Sequence, residues 1–300
     1  MSGATNRPVR TLAVAVVALA AVFAGCAGFG ATPATPTVTP AEVSDGERSD
    51  TGEDGLPPGV SDRVVFDPAA LGAAHMDHLE GRSFTLVSNR TVRYANESVR
   101  SRLAIRIELA RDRTYHAWAA TTGPQAPLFL GEPPTRAEYW SDGFTYLRAS
   151  GGERHNRTYN EFDPPQGYAG TWRYWTRAAA FGGGTGNAER TIRSVFGSVD
   201  VETVDRQTVN GTTLVRLRAT EQRGSSFAPE TYGAVSNVSV VAVVEESGLV
   251  RSLEYRYDAV VDRQTVSVRR VVRYTNVTST TVDRPSWYDR AVSGQQGRST

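Results

Sequence analysis

Cysteine and lysine are the side chains that this sequence has least of. Its 300 residues include one cysteine, and all 33 basic residues are arginine. A single cysteine excludes a disulfide scaffold and a zinc site built from several cysteines. The absence of lysine excludes Schiff-base catalysis and a phosphate-binding loop that ends in Gly-Lys-Ser/Thr. Apolar residues nevertheless make up 39% of the chain, which is typical of a protein with a folded core.

Clustered positive charge is also scarce. Residues 63–300 hold 30 Arg against 25 acidic residues, and the Arg residues are scattered along the chain. Nucleic-acid binding depends on a concentrated basic surface, so this small excess argues against a nucleic-acid partner. Negative charge is concentrated instead in residues 41–62, which hold seven acidic residues and one Arg.

The N-terminal region has the pattern of a secretory signal peptide. Arg7 and Arg10 precede an uncharged apolar run from Leu12 to Gly25. These 14 residues are too few to cross a membrane as a helix, which needs about 20. A short apolar run behind positive charges therefore predicts a signal peptide over residues 1–25.

The cleavage region carries the only cysteine. Phe23-Ala24-Gly25-Cys26 resembles the lipobox, the small-small-Cys motif of bacterial and archaeal lipoproteins. The resemblance implies a lipid on the Cys26 thiol and a chain anchored to the extracellular face of the cell membrane. A plain signal peptide in which the cysteine has no role is the alternative.

Residues 26–60 are rich in Thr, Pro, Ala and acidic residues, and we predict a disordered tether there. Further along the chain, six of the nine asparagines begin Asn-x-Ser/Thr, where chance gives about two such sites. This excess favours a glycosylated surface domain. The candidate N-glycosylation sites are Asn89, Asn96, Asn156, Asn210, Asn237 and Asn276.

We predict a single α+β domain over residues 61–290 and a disordered tail over 291–300. Asp67-Pro68 begins a helix that runs to about Leu79, because Asp is a favourable N-cap and Pro fits the first turn. Two further short helices follow Thr171 and surround Ile192. Alternating apolar and polar residues predict antiparallel strands in a large sheet, near 83–95, 99–109, 113–121, 137–149, 154–160, 199–207, 211–221, 237–246, 253–259 and 266–274.

Several of these features together resemble a haloarchaeal lipoprotein family of uncharacterised function. They are the lipobox, the Thr/Pro/acidic tether, the Asp-Pro helix containing Ala-His, the strand Ser-Phe-Thr-Leu-Val-Ser-Asn-Arg-Thr and the closing Arg-Pro-Ser-Trp. That family is similar in outline to LolA and LppX, the lipoprotein and lipid carriers. The resemblance implies a curled, half-barrel sheet with a few helices packed on one face, around an apolar pocket.

Aromatic residues are densest around the second helix. Trp172 and Trp175 lie one helical turn apart and form either part of the core or the mouth of a pocket for an acyl chain or a sugar. The apolar pocket candidates are Tyr168, Trp172, Trp175 and Phe181. His75 and His78 share one helix face, but the sequence offers no third ligand, so we predict no metal site.

The sequence contains no pattern for catalytic residues or for a cofactor. We therefore expect an exported, lipid-anchored cell-surface protein that binds or carries an apolar ligand, a lipid or a lipidated client, without enzymatic activity. The alternative is an envelope scaffold or a protein-interaction module that has no ligand cavity. The strand pattern allows both, because it predicts an apolar face without showing what covers it.

Overall fold

The computed structural model describes residues 55–152, 155–161, 171–179, 187–224, 227 and 234–296. The predicted signal peptide and most of the predicted tether lie outside these residues. The described helices are α1 Pro68–Leu79, α2 Trp172–Ala178, α3 Asn187–Gly197 and α4 Tyr288–Gln296. The described strands are β1 Phe84–Tyr94, β2 Val99–Leu109, β3 Tyr115–Thr122, β4 Thr135–Ser141, β5 Tyr146–Gly152, β6 His155–Glu161, β7 Val199–Val209, β8 Thr212–Gln222, β9 Val235–Glu245, β10 Val250–Val261 and β11 Gln264–Thr275.

All these strands form one antiparallel sheet of eleven strands, in the order β6-β5-β4-β3-β2-β1-β11-β10-β9-β8-β7. The chain builds β1 to β6 outward in one direction, and then β7 to β11 from the other edge back to the centre. The first and last strands therefore pair at the middle, where Leu86 lies opposite Tyr274. The α+β fold with a large antiparallel sheet, predicted from the alternation, is confirmed.

The two faces of the sheet differ in polarity because successive side chains on a strand point to opposite sides. We call the face that contacts α1, α2 and α3 the inner face. In β11, the side chains of Val266, Val268 and Val272 are buried on this face, while Ser267 and Arg269 on the opposite, outer face are exposed. The main hydrophobic core lies between the inner face and the three helices.

Helix α1 begins where the sequence predicts. Asp67 Oδ1 accepts hydrogen bonds from the backbone N–H groups of Ala69 and Ala70, both at 3.0 Å. The helix then buries Leu71, His75 and Leu79. These bonds satisfy two of the N–H groups that a helix start leaves without partners.

Helix α4 packs on the outer face, opposite the other three helices. Trp287 and Ala291 form a second hydrophobic cluster with Trp140, Leu147 and Ala149 of β4 and β5. The sequence predicted helices on one face, and α4 adds a contact on the other. The helix also runs past residue 290, where we predicted the domain to end.

One predicted strand, 137–149, is two strands in the structure. Asp142 Oδ1 accepts hydrogen bonds from the backbone N–H of Phe144 at 3.0 Å and of Thr145 at 2.8 Å, which closes a turn between β4 and β5. Gly143 has a φ of 92°, a backbone conformation that glycine adopts without steric cost. The Asp-Gly pair was the signal for this turn.

Candidate functional site

The region beneath α2 is the part of the inner face where the sequence placed the pocket candidates. Trp175 is buried, and its ring lies 4.7 Å from that of Tyr139 on β4. Trp172 is half-buried, with the guanidinium groups of Arg113 and Arg173 at 5.1 and 5.3 Å from the centre of its ring. The two tryptophans therefore differ: Trp175 fills space between helix and sheet, and Trp172 lies at the edge.

The other two pocket candidates, Tyr168 and Phe181, lie outside the described residues. Around Trp172 and Trp175, several apolar side chains contact the core yet keep part of their surface exposed: Leu103, Tyr139, Trp172 and Tyr174. The strands also present small side chains on this face, Ala117, Ala119 and Ala137, all fully buried. This part of the inner face thus combines small residues in the sheet with large aromatic residues above it.

Several buried polar groups in this half of the sheet have no hydrogen-bond partner among the described residues. Beside the inner face they are the indole N–H of Trp175, the hydroxyl of Thr121 and Nε of Arg148, and Trp175 and Thr121 are 1% and 0% exposed. A buried donor without a partner costs about 1–3 kcal/mol. Burial also raises the pKa of Tyr115 and Tyr139, which keeps both phenols neutral.

A buried arginine lies within the same face. Arg270 of β11 donates hydrogen bonds from Nη2 to Ser88 Oγ at 3.3 Å and to the backbone carbonyl of Ala178 at 3.2 Å. It pairs in register with Arg90 of β1, which is half-buried. This buried group was not predicted from the sequence. The signal was the pair Arg269-Arg270, since adjacent residues in a strand must face opposite sides of the sheet.

The first of the two histidines of α1 lies in the core. His75 is buried, and its Nδ1 accepts a hydrogen bond from the backbone N–H of Val250 at 3.1 Å. Burial, and secondarily the charge of His78, lowers its pKa to about 3, so His75 is neutral at physiological pH. Its ring packs edge-on against Tyr274 at 5.1 Å. These contacts give His75 a packing role between α1 and the sheet.

The candidate glycosylation sites are spread over the domain. Asn96, Asn210 and Asn276 are exposed at or beside the ends of strands, and Asn237 is exposed within β9. Asn89 is half-buried on the outer face of β1, and Asn156 lies in β6. Cys26 lies outside the described residues. Among the helices that the structure describes, none has the length and apolar character needed to cross a membrane.

Comparison with known proteins gives a family for the chain. A family model matches residues 10–291. The chain belongs to DUF7537, a family of unknown function. This match extends from the predicted signal peptide into α4 and covers every strand of the sheet. The haloarchaeal lipoprotein origin that the sequence motifs suggested remains a prediction.

Several solved structures match this chain at low sequence identity. LprF from Mycobacterium bovis is 9% identical, with 73% of this chain and 96% of that chain covered and a TM-score of 0.36. A LolA superfamily protein from Nitrosomonas europaea is 8% identical, with 71% and 94% covered and a TM-score of 0.23. A DUF1329 family protein from Desulfovibrio piger is 10% identical, with 74% and 95% covered and a TM-score of 0.24. No curated protein matches the chain.

Proposed function

We propose that this protein is a lipid-anchored envelope protein that binds an apolar ligand, such as a lipid or the acyl chains of a lipidated client, on the inner face of its sheet. Binding and release, not catalysis, is the activity. The protein is exported by its signal peptide, held by a lipid on Cys26 and separated from the membrane by the tether of residues 26–60.

The observation that carries this proposal is the incomplete cover of the inner face beneath α2. Leu103, Tyr139, Trp172 and Tyr174 contact the core there and still expose part of their apolar surface. Burying such surface against a ligand is favourable by about 25 cal/mol per Å². An acyl chain lying along these side chains would gain that energy.

Polar groups near this apolar surface favour a ligand with an oxygen-rich head group. The N–H of Trp175 is a buried donor without a partner among the described residues. Arg90 and Arg270 add guanidinium groups to the same face. An ester carbonyl or a phosphate can accept hydrogen bonds from such donors, whereas a pure hydrocarbon cannot.

The first experiment tests the anchor with the full chain. In a host that lipidates exported proteins, we expect the wild type in the membrane fraction and Cys26→Ser in the soluble fraction, because one thioether-linked lipid group is the predicted attachment. A wild-type intact mass without added lipid would refute the anchor. The plain signal peptide would then be the correct interpretation.

The second experiment tests the ligand on the soluble Cys26→Ser chain, purified without detergent. We expect a stoichiometric lipid in its organic extract by mass spectrometry, and less of that lipid in Trp172→Ala. Tyr288→Ala is the matched control, because Tyr288 is a half-buried aromatic residue at the start of α4, which packs on the outer face. A lipid-free chain of normal stability would refute ligand carriage and favour the interaction module.

Trp175→Ala separates packing from binding. Trp175 is 1% exposed, so its loss should destabilise the domain by roughly 3–5 kcal/mol whether or not a ligand binds. Trp172→Ala leaves a smaller cavity because its side chain is partly exposed. If Trp172→Ala lowers stability without reducing the bound lipid, the aromatic group belongs to the core and is no ligand site.

A further inference from the structure

A groove on the outer face of the sheet lies opposite the apolar site and on the other side of the β-strands. It crosses β1 to β4 and has a volume of about 530 Å³. Its walls include Asn89, Arg106, Glu108, His116, Trp118 and Arg136. This volume is within the range of about 300–1,000 Å³ that is usual for small-molecule sites.

Strand register builds the groove. Val87, Arg106, Trp118 and Glu138 lie opposite one another on four adjacent strands and therefore point to the same face. His116 is two residues from Trp118 on β3 and joins the same surface. Four consecutive strands thus supply one continuous row of side chains.

Glu138 fixes the position of the groove's polar groups. Its Oε1 accepts hydrogen bonds from Arg136 Nη2 at 3.0 Å and from Arg157 Nη2 at 2.6 Å. Its Oε2 accepts from Trp287 Nε1 at 2.7 Å and contacts His116 Nε2 at 3.3 Å. A carboxylate has about four acceptor sites, and these four contacts within the protein occupy them. Glu138 therefore holds its neighbours in place as a positioning residue and does not itself bind a ligand.

The remaining groups of the groove offer donors, acceptors and a ring to a ligand. The guanidinium of Arg136 lies 5.1 Å from the ring centre of Trp118, and its side chain is 60% exposed. Arg106 Nε donates to Glu108 Oε1 at 3.1 Å, and the two side chains are 51% and 29% exposed. Asn89 adds an amide, which both donates and accepts.

The charge pattern narrows the class of ligand. Glu108 and Glu138 oppose Arg106 and Arg136, so the groove has no strong net charge that would select a simple anion or cation. An acyl chain would leave these polar groups desolvated without partners, which is unfavourable. Sugar hydroxyls both donate and accept hydrogen bonds, and a sugar's C–H surface packs on an indole ring.

We propose that this outer groove is a saccharide-binding site, with Trp118 as the apolar wall and with Arg106, Glu108, Asn89 and His116 as hydrogen-bonding groups. The sugar has one of two sources. Asn89 begins the sequence Asn89-Arg-Thr91, so the sugar can be a glycan attached to this side chain. Otherwise it is a free saccharide of the cell surface.

The experiment measures sugar binding to the full chain made in a host without N-glycosylation and solubilised in a detergent that has no sugar head group. Saturation-transfer NMR is recorded with glucose, mannose, N-acetylglucosamine and glucuronate. We expect binding of at least one of these sugars and about tenfold weaker binding to Arg106→Gln, because a hydrogen bond from a charged group is lost. Arg102→Gln is the matched control, since Arg102 is exposed on the same face of β2 but does not line the groove.

A second arm identifies the source of the sugar. The same titration is made with the full chain from a glycosylating host. If Thr91→Ala, which removes the glycosylation sequence but keeps Asn89, is needed before the added sugar binds, the glycan on Asn89 occupies the groove. If the glycosylated wild type binds as well as the variant, the ligand is a free saccharide.

Two results overturn the proposal. One is that none of the four sugars binds the unglycosylated chain and that glycans of the glycosylated chain give no contacts to Trp118. The other is that binding is equally strong in wild type, Arg106→Gln and Trp118→Phe, which would place the sugar elsewhere. Because Arg106 and Arg102 are both exposed, neither arginine variant is expected to unfold the domain.

Discussion

Glu138 is the buried acidic group that attaches α4 to the sheet, and Glu138→Gln tests that role. The side chain is 9% exposed and accepts hydrogen bonds from the indole of Trp287 and from two arginines. The hydrogen bond from His116 is the main cause that lowers its pKa to about 2, although burial acts in the opposite direction. The Trp287 hydrogen bond and the charge of Arg157 lower it further.

The expected magnitude follows from this pKa. A decrease from 4.5 to about 2 corresponds to roughly 3 kcal/mol of extra stability for the folded state at neutral pH. Solvent reaches Arg136 and Arg157, whose side chains are 60% and 41% exposed, and screens part of the interaction. We therefore expect Glu138→Gln to lower the free energy of unfolding by about 2 kcal/mol at pH 7.

The pH dependence has a definite sign. The pKa of Glu138 is lower in the folded state, so its ionised form stabilises the fold above about pH 4.5, the ordinary value. This stability is lost as the pH falls towards 2. The difference between wild type and Glu138→Gln, measured by urea unfolding with tryptophan fluorescence, should therefore shrink from pH 7 to pH 2.

Glu108→Gln is the control for this experiment. Glu108 lies on the same outer face and pairs with Arg106, but both side chains are substantially exposed. Exposed pairs contribute about 0–1 kcal/mol, so the control should change stability little. Equal free energies of unfolding for Glu138→Gln and wild type at pH 7, or a difference independent of pH, would refute the reasoning.

Three further predictions concern backbone and helix packing. Gly248→Ala should lower the free energy of unfolding, measured in urea, by about 3 kcal/mol, because a Cβ there would lie 2.4 Å from the Cβ of Ala74. Gly211→Ala, which also has a positive φ but open space around it, should lower it by about 1 kcal/mol. Asp67→Ala should cost about 1 kcal/mol through loss of the α1 cap, with reduced helical circular dichroism as a second measure. In the wild type, the free energy of unfolding should fall as the pH drops below about 6.5, because the unfolded chain takes up a proton on His75 and the folded chain, in which the pKa of His75 is lowered, does not. His75→Asn should make this fall smaller.

Local patterns predicted most of the sheet. The alternation in β2, with Arg102 and Arg106 exposed and Ile105 and Ile107 buried, is the same in sequence and structure. Such strands can be predicted because a two-residue period has only one arrangement that buries the apolar side. The turn inside 137–149 was missed because apolar residues on both sides of Asp142-Gly143 suggested one continuous strand.

The apolar site and the outer groove could be predicted less well. Trp172 and Trp175 were identified from their density, but only the helix position shows that Trp175 is buried against Tyr139 while Trp172 is at the edge. Arg270 and Glu138 looked like ordinary polar residues of solvated strand faces. Their burial depends on α2 and α4, which come from other parts of the chain.

The sequence by itself predicted a signal peptide and a lipobox, and it determined the start of α1 and the two-sided strands, because each depends on residues that are near one another in the chain. The tertiary structure decided which strands are neighbours, and hence that Arg106, Trp118 and Glu138 form one row. It also decided that Trp287 reaches Glu138 across 149 positions of sequence. Strand order depends on the packing of the whole core, and a local period contains no information about it.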